Sequence, residues 1–156
     1  MKFLITLLVF LGLSVNLNLV YAASSGGDSG SNFYKSGKKL IVKAKKLEEK
    51  DKIAKAEKLY LKALDRLEKA YEKDKKNPDI LNYLGFALRK TGDFEKAEKF
   101  YLKGLKLDAG HLGINEYLGE LYVQTGRIEL AKERLQTING CKCEEYEELK
   151  ELIEKN

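Results

Sequence analysis

Residues able to do chemistry are few in this chain and far apart. Cys141 and Cys143 flank Lys142 near the C-terminus, and His111 is the one histidine. Two cysteines at this spacing can close a small, strained and easily reduced disulfide ring, bond to another molecule, rest as inert thiols, or serve a soft metal or redox step. A metal would need further ligands, for which only His111 is soft enough. His111 falls between two helical runs, where a surface or capping role accounts for it. No serine stands in a nucleophile elbow, and no glycine loop has the spacing of a phosphate cradle. The many carboxylates sit among lysines in the manner of solvated helix faces. These residues describe a chain that is not an enzyme and carries no cofactor or metal centre.

The elements that would position these residues are helical. One proline among 156 residues, with abundant lysine, glutamate, leucine and alanine, favours helix throughout. Apolar stripes at helical spacing run through Leu40, Ala44 and Leu47, then Ile53, Ala56, Tyr60, Ala63, Leu67 and Ala70. Asn77 and Pro78 suit the start of the next helix, in which Ile80, Leu81, Leu84, Ala87 and Leu88 face inward. Later stripes break at Thr91-Gly92-Asp93 and Thr125-Gly126, and Asn139-Gly140 reads as a helix stop. Glu144 to Lys155 is a last amphipathic helix with acids in its first turn.

Ahead of these helices, Lys2, the apolar run Phe3–Val20 and the small residue Ala22 form an export signal cleaved after Ala22. The rival reading is a retained anchor, which Ser14, Asn16 and Asn18 weaken. No cysteine follows the run to carry a lipid. The Gly/Ser-rich stretch after it reads as a flexible tether. The mature domain would be periplasmic or extracellular.

Charge divides the domain. Lys35 to Lys76 hold 16 basic and 8 acidic residues, whereas Asn77 to Asn156 hold 12 and 15. The basic first helix, with Lys35, Lys38, Lys39, Lys43, Lys45 and Lys46 around Leu40, Ile41 and Val42, offers a contact for an anionic membrane surface, unless its apolar side is packed in the domain. Export and mixed charge argue against a nucleic-acid partner.

Self-comparison gives the strongest signal. Lys55 to Lys62 match Lys96 to Lys103 at seven of eight positions, and Tyr83-Leu84-Gly85 recurs 34 residues later as Tyr117-Leu118-Gly119. Thr91-Gly92 and Thr125-Gly126 share that spacing. From Asn77 to Asp108 the chain resembles the tetratricopeptide-repeat family: Leu81, Leu84-Gly85, Leu88, Gly92, Phe94, Ala97, Tyr101, Gly104 and Leu107-Asp108 stand at the family's positions, with Ala109 in place of the usual proline. The next unit keeps Leu118-Gly119, Tyr122, Gly126, Ala131 and Leu135 but has Asn115 where a large apolar residue is usual, so its first turn is expected to pack less well. The first unit is degenerate, and its second helix is overlong, reaching about Lys73.

The resemblance implies an all-α, right-handed superhelix of antiparallel helix pairs. The segments are a signal (1–22), a tether (23–36), three units (37–76, 77–110 and 111–140), and a Cys-Lys-Cys turn with a capping helix (141–156). Gly85, Gly119 and Ala44 would be small where paired helices meet, and Ala56, Ala97 and Ala131 where the second helix meets the next pair. It further implies a partner, protein or peptide, held in a concave groove lined by the first helix of each unit. By position that groove would show Asp79, Asn82, Phe86, Arg89 and Lys90, then Glu116, Glu120, Val123 and Gln124, with Phe86 as an exposed aromatic anchor. The lysine and asparagine set with which some members clamp a C-terminal carboxylate is not reproduced.

Overall fold

The structure, a computed structural model, describes residues 30–156; the signal and residues 23–29 of the tether lie outside the described residues. Seven helices follow one another: α1 (Gly30–Glu48), α2 (Ile53–Lys73), α3 (Pro78–Lys90), α4 (Phe94–Leu105), α5 (Leu112–Gln124), α6 (Ile128–Thr137) and α7 (Glu144–Glu154). Among the described residues no helix is long and apolar enough to cross a membrane.

Side chains set the helix starts. The Ile80 amide donates to Asn77 Oδ1 at 3.3 Å, with Pro78 in the first turn, and the Lys96 amide donates to Asp93 Oδ1 at 3.2 Å. The two recurrent turns close in the same way. Thr91 donates its hydroxyl to Ala87 O at 3.0 Å and Thr125 to Leu121 O at 2.8 Å. Gly92 and Gly126 then take φ of +87° and +73°, the left-handed conformation that favours glycine. The first pair lacks such a glycine, and Asp51 takes that conformation at φ +53°; aspartate tolerates it through its short polar side chain.

Pairs α1–α2, α3–α4 and α5–α6 pack internally, α2 meets α3, α4 meets α5, and α6 meets α7. The first helices also touch in series, α1 with α3, α3 with α5 and α5 with α7, so together they form one continuous inner face. The expected α2 extension to Lys73 is present.

The tether expectation is corrected from Gly30 onward. Residues 30–36 are helical, and Phe33 and Tyr34 pack on the core. Gly30 and Gly37 serve close approach: a Cβ at Gly37 would lie 2.7 Å from Leu67 Cγ, and one at Gly30 would lie 2.8 Å from Lys73 Cβ. Both glycines sit where α1 packs closely on the overlong α2.

Within the second pair, a Cβ on Gly85 would lie 2.5 Å from Tyr101 Cε1, so the wholly buried Tyr101 ring fills the notch that glycine leaves. Gly119 receives Leu149 of α7, 2.5 Å from its absent Cβ, in place of a residue from its own pair. Ala44, Ala56, Ala97 and Ala131 are all buried.

Asn115 also differs from expectation. It is fully buried, its Nδ2 donates to Ala109 O and His111 O at 3.0 Å each, and its Oδ1 accepts from Arg134 at 3.4 Å. A satisfied asparagine thus ties down the loop that the usual proline would stiffen. Gly85→Leu forces Tyr101 out of its notch and is expected to cost about 1–3 kcal/mol in thermal or urea melts; an unchanged melt would contradict the packing described.

Candidate functional site

The inner face is more filled than an open groove. Phe86 is only 3% exposed, wedged between Tyr60 (ring centroids 5.9 Å apart) and Tyr117 (4.7 Å). The expectation of an exposed aromatic anchor there is corrected: the first helices approach closely enough to close over this ring. Asn82, Arg89, Glu116 and Val123 are likewise buried. Lys90 and Glu120 are half-buried, and Asp79 and Gln124 are exposed.

Charge pairs knit the buried row together. Arg89 Nη2 lies 2.6 Å from Glu120 Oε2, and its guanidinium lies over Phe86 and Tyr117, 5.4 and 5.8 Å from the ring centroids. Lys90 Nζ pairs with Glu48 at 2.7 Å, and Tyr60 donates its hydroxyl to the same carboxylate at 3.0 Å. Lys45 of α1 reaches to 5.9 Å above the Phe86 ring. Arg89, stacked on aromatic faces in this way, is held by the ring quadrupole as well as by its carboxylate partner.

Toward α7 the face becomes acidic. One carboxylate oxygen from each of Glu116, Glu120 and Glu148 lies within 4.8 Å of the others. Glu144, Glu145 and Glu148 share a slot of about 110 Å³ with Lys45, Glu116 and Tyr117. Burial, then a hydrogen bond to Glu148 and the charges of Glu120, Glu148 and Glu145, push the Glu116 carboxyl up to about 9. Glu116 therefore keeps its proton at neutral pH. Behind this cluster the buried Tyr101 hydroxyl lies against the buried Arg89 guanidinium.

Sequence reasoning placed Glu116 and Glu120 on this face but not the α7 glutamates, because α7 lies outside the repeat that defined the face. The crowded acids Glu144, Glu145, Glu147 and Glu148 were the available signal. His111 caps α5, accepting at Nδ1 from the Ile114 amide at 3.2 Å, with Nε2 facing Asp79 at 3.3 Å. Cys141 and Cys143 are joined to each other in a disulfide within the turn before α7.

Residues 47–109 match the model of the tetratricopeptide-repeat family. No curated protein matches the chain in sequence. Among solved structures, it is similar to the second tetratricopeptide domain of human RPAP3 in complex with the HSP70 peptide SGPTIEEVD (TM-score 0.58, 17% identity, 82% of this chain and 100% of that one). It is also similar to the Arabidopsis OM64 tetratricopeptide domain (0.57, 13%, 79% and 98%). A third likeness is the first such domain of Spaghetti (RPAP3) bound to the HSP90 peptide SRMEEVD (0.56, 18%, 78% and 96%). The chain therefore has the tetratricopeptide-repeat fold.

An unfolded glutamate titrates at about 4.3, so stability contributed by the proton on Glu116 is complete below that pH and is lost as pH rises through about 9. Glu116→Gln keeps the shape and removes the titration. Relative to the parent it is expected to be neutral near roughly pH 4 and more stable by about 1–3 kcal/mol near roughly pH 8, read from urea melts. An equal difference at both pH values would contradict the buried setting of this carboxyl.

Proposed function

We propose that the chain is a non-catalytic, exported interaction module that holds a segment of another protein on the inner face of its solenoid. The observation that carries this reading is the row Asn82, Arg89 and Glu116, polar side chains no more than 5% exposed on the face formed by the first helices. Apolar residues there would pack without the desolvation that buried polar groups impose. A face kept polar at that cost suits recognition better than stability. Neighbours of the same fold were captured with bound peptides, which supports a peptide or protein as the class of ligand.

Export is supported by Lys2, the apolar run to Val20 and the small residue at Ala22. A disulfide between Cys141 and Cys143 suits an oxidising compartment. Membrane docking through the basic first helix is less favoured, because Ile41 is buried and Leu40 packs on the core, leaving Val42 as the exposed apolar residue of that trio.

A photo-cross-linkable residue at the exposed positions Lys45 or Gln124 is expected to trap a partner in the native cell. The same group at the outer positions Lys62 or Lys132 is expected to trap none. Equal products from the outer positions would overturn the inner face as the binding surface.

A further inference from the structure

We propose that the Cys141–Cys143 disulfide is a thiol-exchange site, which takes up the thiolate of a partner's cysteine at Cys141 and releases Cys143. The inference stands apart from the inner face and does not need a partner bound there.

Little of the fold depends on this disulfide. It joins residues two positions apart, and closing so short a loop removes little entropy from the unfolded chain. Other contacts seat α7. Leu149 is wholly buried over Gly119, and Leu152 and Ile153 pack on the core that holds Ile114 and Leu118. The turn before the helix is closed by its backbone, the Cys141 amide donating to Ile138 O at 3.2 Å. A bond that the fold does not need is free for chemistry.

Access favours exchange. Both cysteines are half-buried, and both line an open hollow of about 500 Å³ whose walls include Lys142, Tyr146 and Glu147. Such a hollow has room for a cysteine together with its flanking chain. A ring closed by residues this near in sequence, and open to an incoming thiolate, is easily reduced.

The two sulfurs are not equivalent, and Cys143 is the better leaving group. It holds the N-cap of α7, and no side chain caps that end. A thiolate released there can accept from the first-turn N–H groups at the positive end of the helix dipole. Lys142 adds a positive charge beside it. Glu144, Glu145 and Glu147 of the first turn oppose it, but at a helix end open to water, where charge is screened. In the exchange the partner's thiolate attacks Cys141 Sγ, a bond between that sulfur and Cys141 forms, and the Cys141–Cys143 bond breaks. The electron pair goes to Cys143 Sγ, which takes a proton from solvent in place of the one the attacking thiol gave up. A second thiol of the partner then displaces Cys141, leaving the partner with a disulfide and this chain reduced by two electrons. The step is stoichiometric, one exchange per chain, in keeping with a non-catalytic module.

The test exposes the oxidised full chain to dithiothreitol and, separately, to reduced glutathione, traps thiols by alkylation at successive times and locates them by mass spectrometry. Oxidised glutathione, an open and relaxed disulfide, is the reference for the dithiothreitol rate at the same pH. The chain is expected to be reduced at least about tenfold faster than that reference. With reduced glutathione the first adduct is expected on Cys141, with Cys143 alkylated. Cys141→Ser combined with Cys143→Ser is expected to form no adduct and to melt as the parent does. Reduction no faster than the reference, or a first adduct on Cys143, would overturn the proposal. A lowered melt in the double variant would also overturn it, because the disulfide would then be a structural staple.

Discussion

Tyr101 filling the notch at Gly85 is the contact on which the rest of the structure depends. The absent Cβ lets α3 and α4 approach until the ring lies where a methyl group would stand. That nesting fixes the angle within the pair, and with it the surface that the pair presents to its neighbours. The same contact reaches the candidate site, because the ring that fills the notch carries its hydroxyl to the neighbourhood of Arg89. Packing and the polar row of the inner face thus share one side chain. The third pair uses a variation: Leu149 of α7 occupies the position over Gly119, so the cap is locked on by the same kind of notch.

From that constraint the inner face follows. Each first helix is held against the next, so residues one unit apart meet across the seams: Lys45 over Phe86, Phe86 against Tyr117, Arg89 with Glu120. The close approach buries the middle of the face and leaves polar side chains to satisfy one another. Lys45 of α1 shares a slot with the glutamates of α5 and α7.

Much of this was legible in the residues. The 34-residue recurrence, the glycine turns and the apolar stripes define the pairs, because small side chains at fixed intervals have few other uses in a helix. The overlong α2 was legible as seven extra residues before Pro78. Three things were hidden. Gly30 looks like part of a tether, and only the position of Lys73 opposite it turns it into a packing position. Phe86 and Arg89 sit at groove positions, but periodicity says which way a side chain points and not how closely the next helix covers it. The α7 glutamates were hidden for a related reason, since their part in the face depends on Leu149 anchoring the cap at Gly119.

The most direct test of the central contact is a double-mutant cycle between Gly85→Ala and Tyr101→Leu, measured by urea denaturation. Leucine is the residue one repeat later, at Leu135. If the ring and the notch act as one unit, Gly85→Ala is costly in the parent and nearly free beside Tyr101→Leu, with a coupling of about 1 kcal/mol or more. Additive effects within about 0.3 kcal/mol would show that the two residues are independent, and the account of how the inner face is positioned would fail.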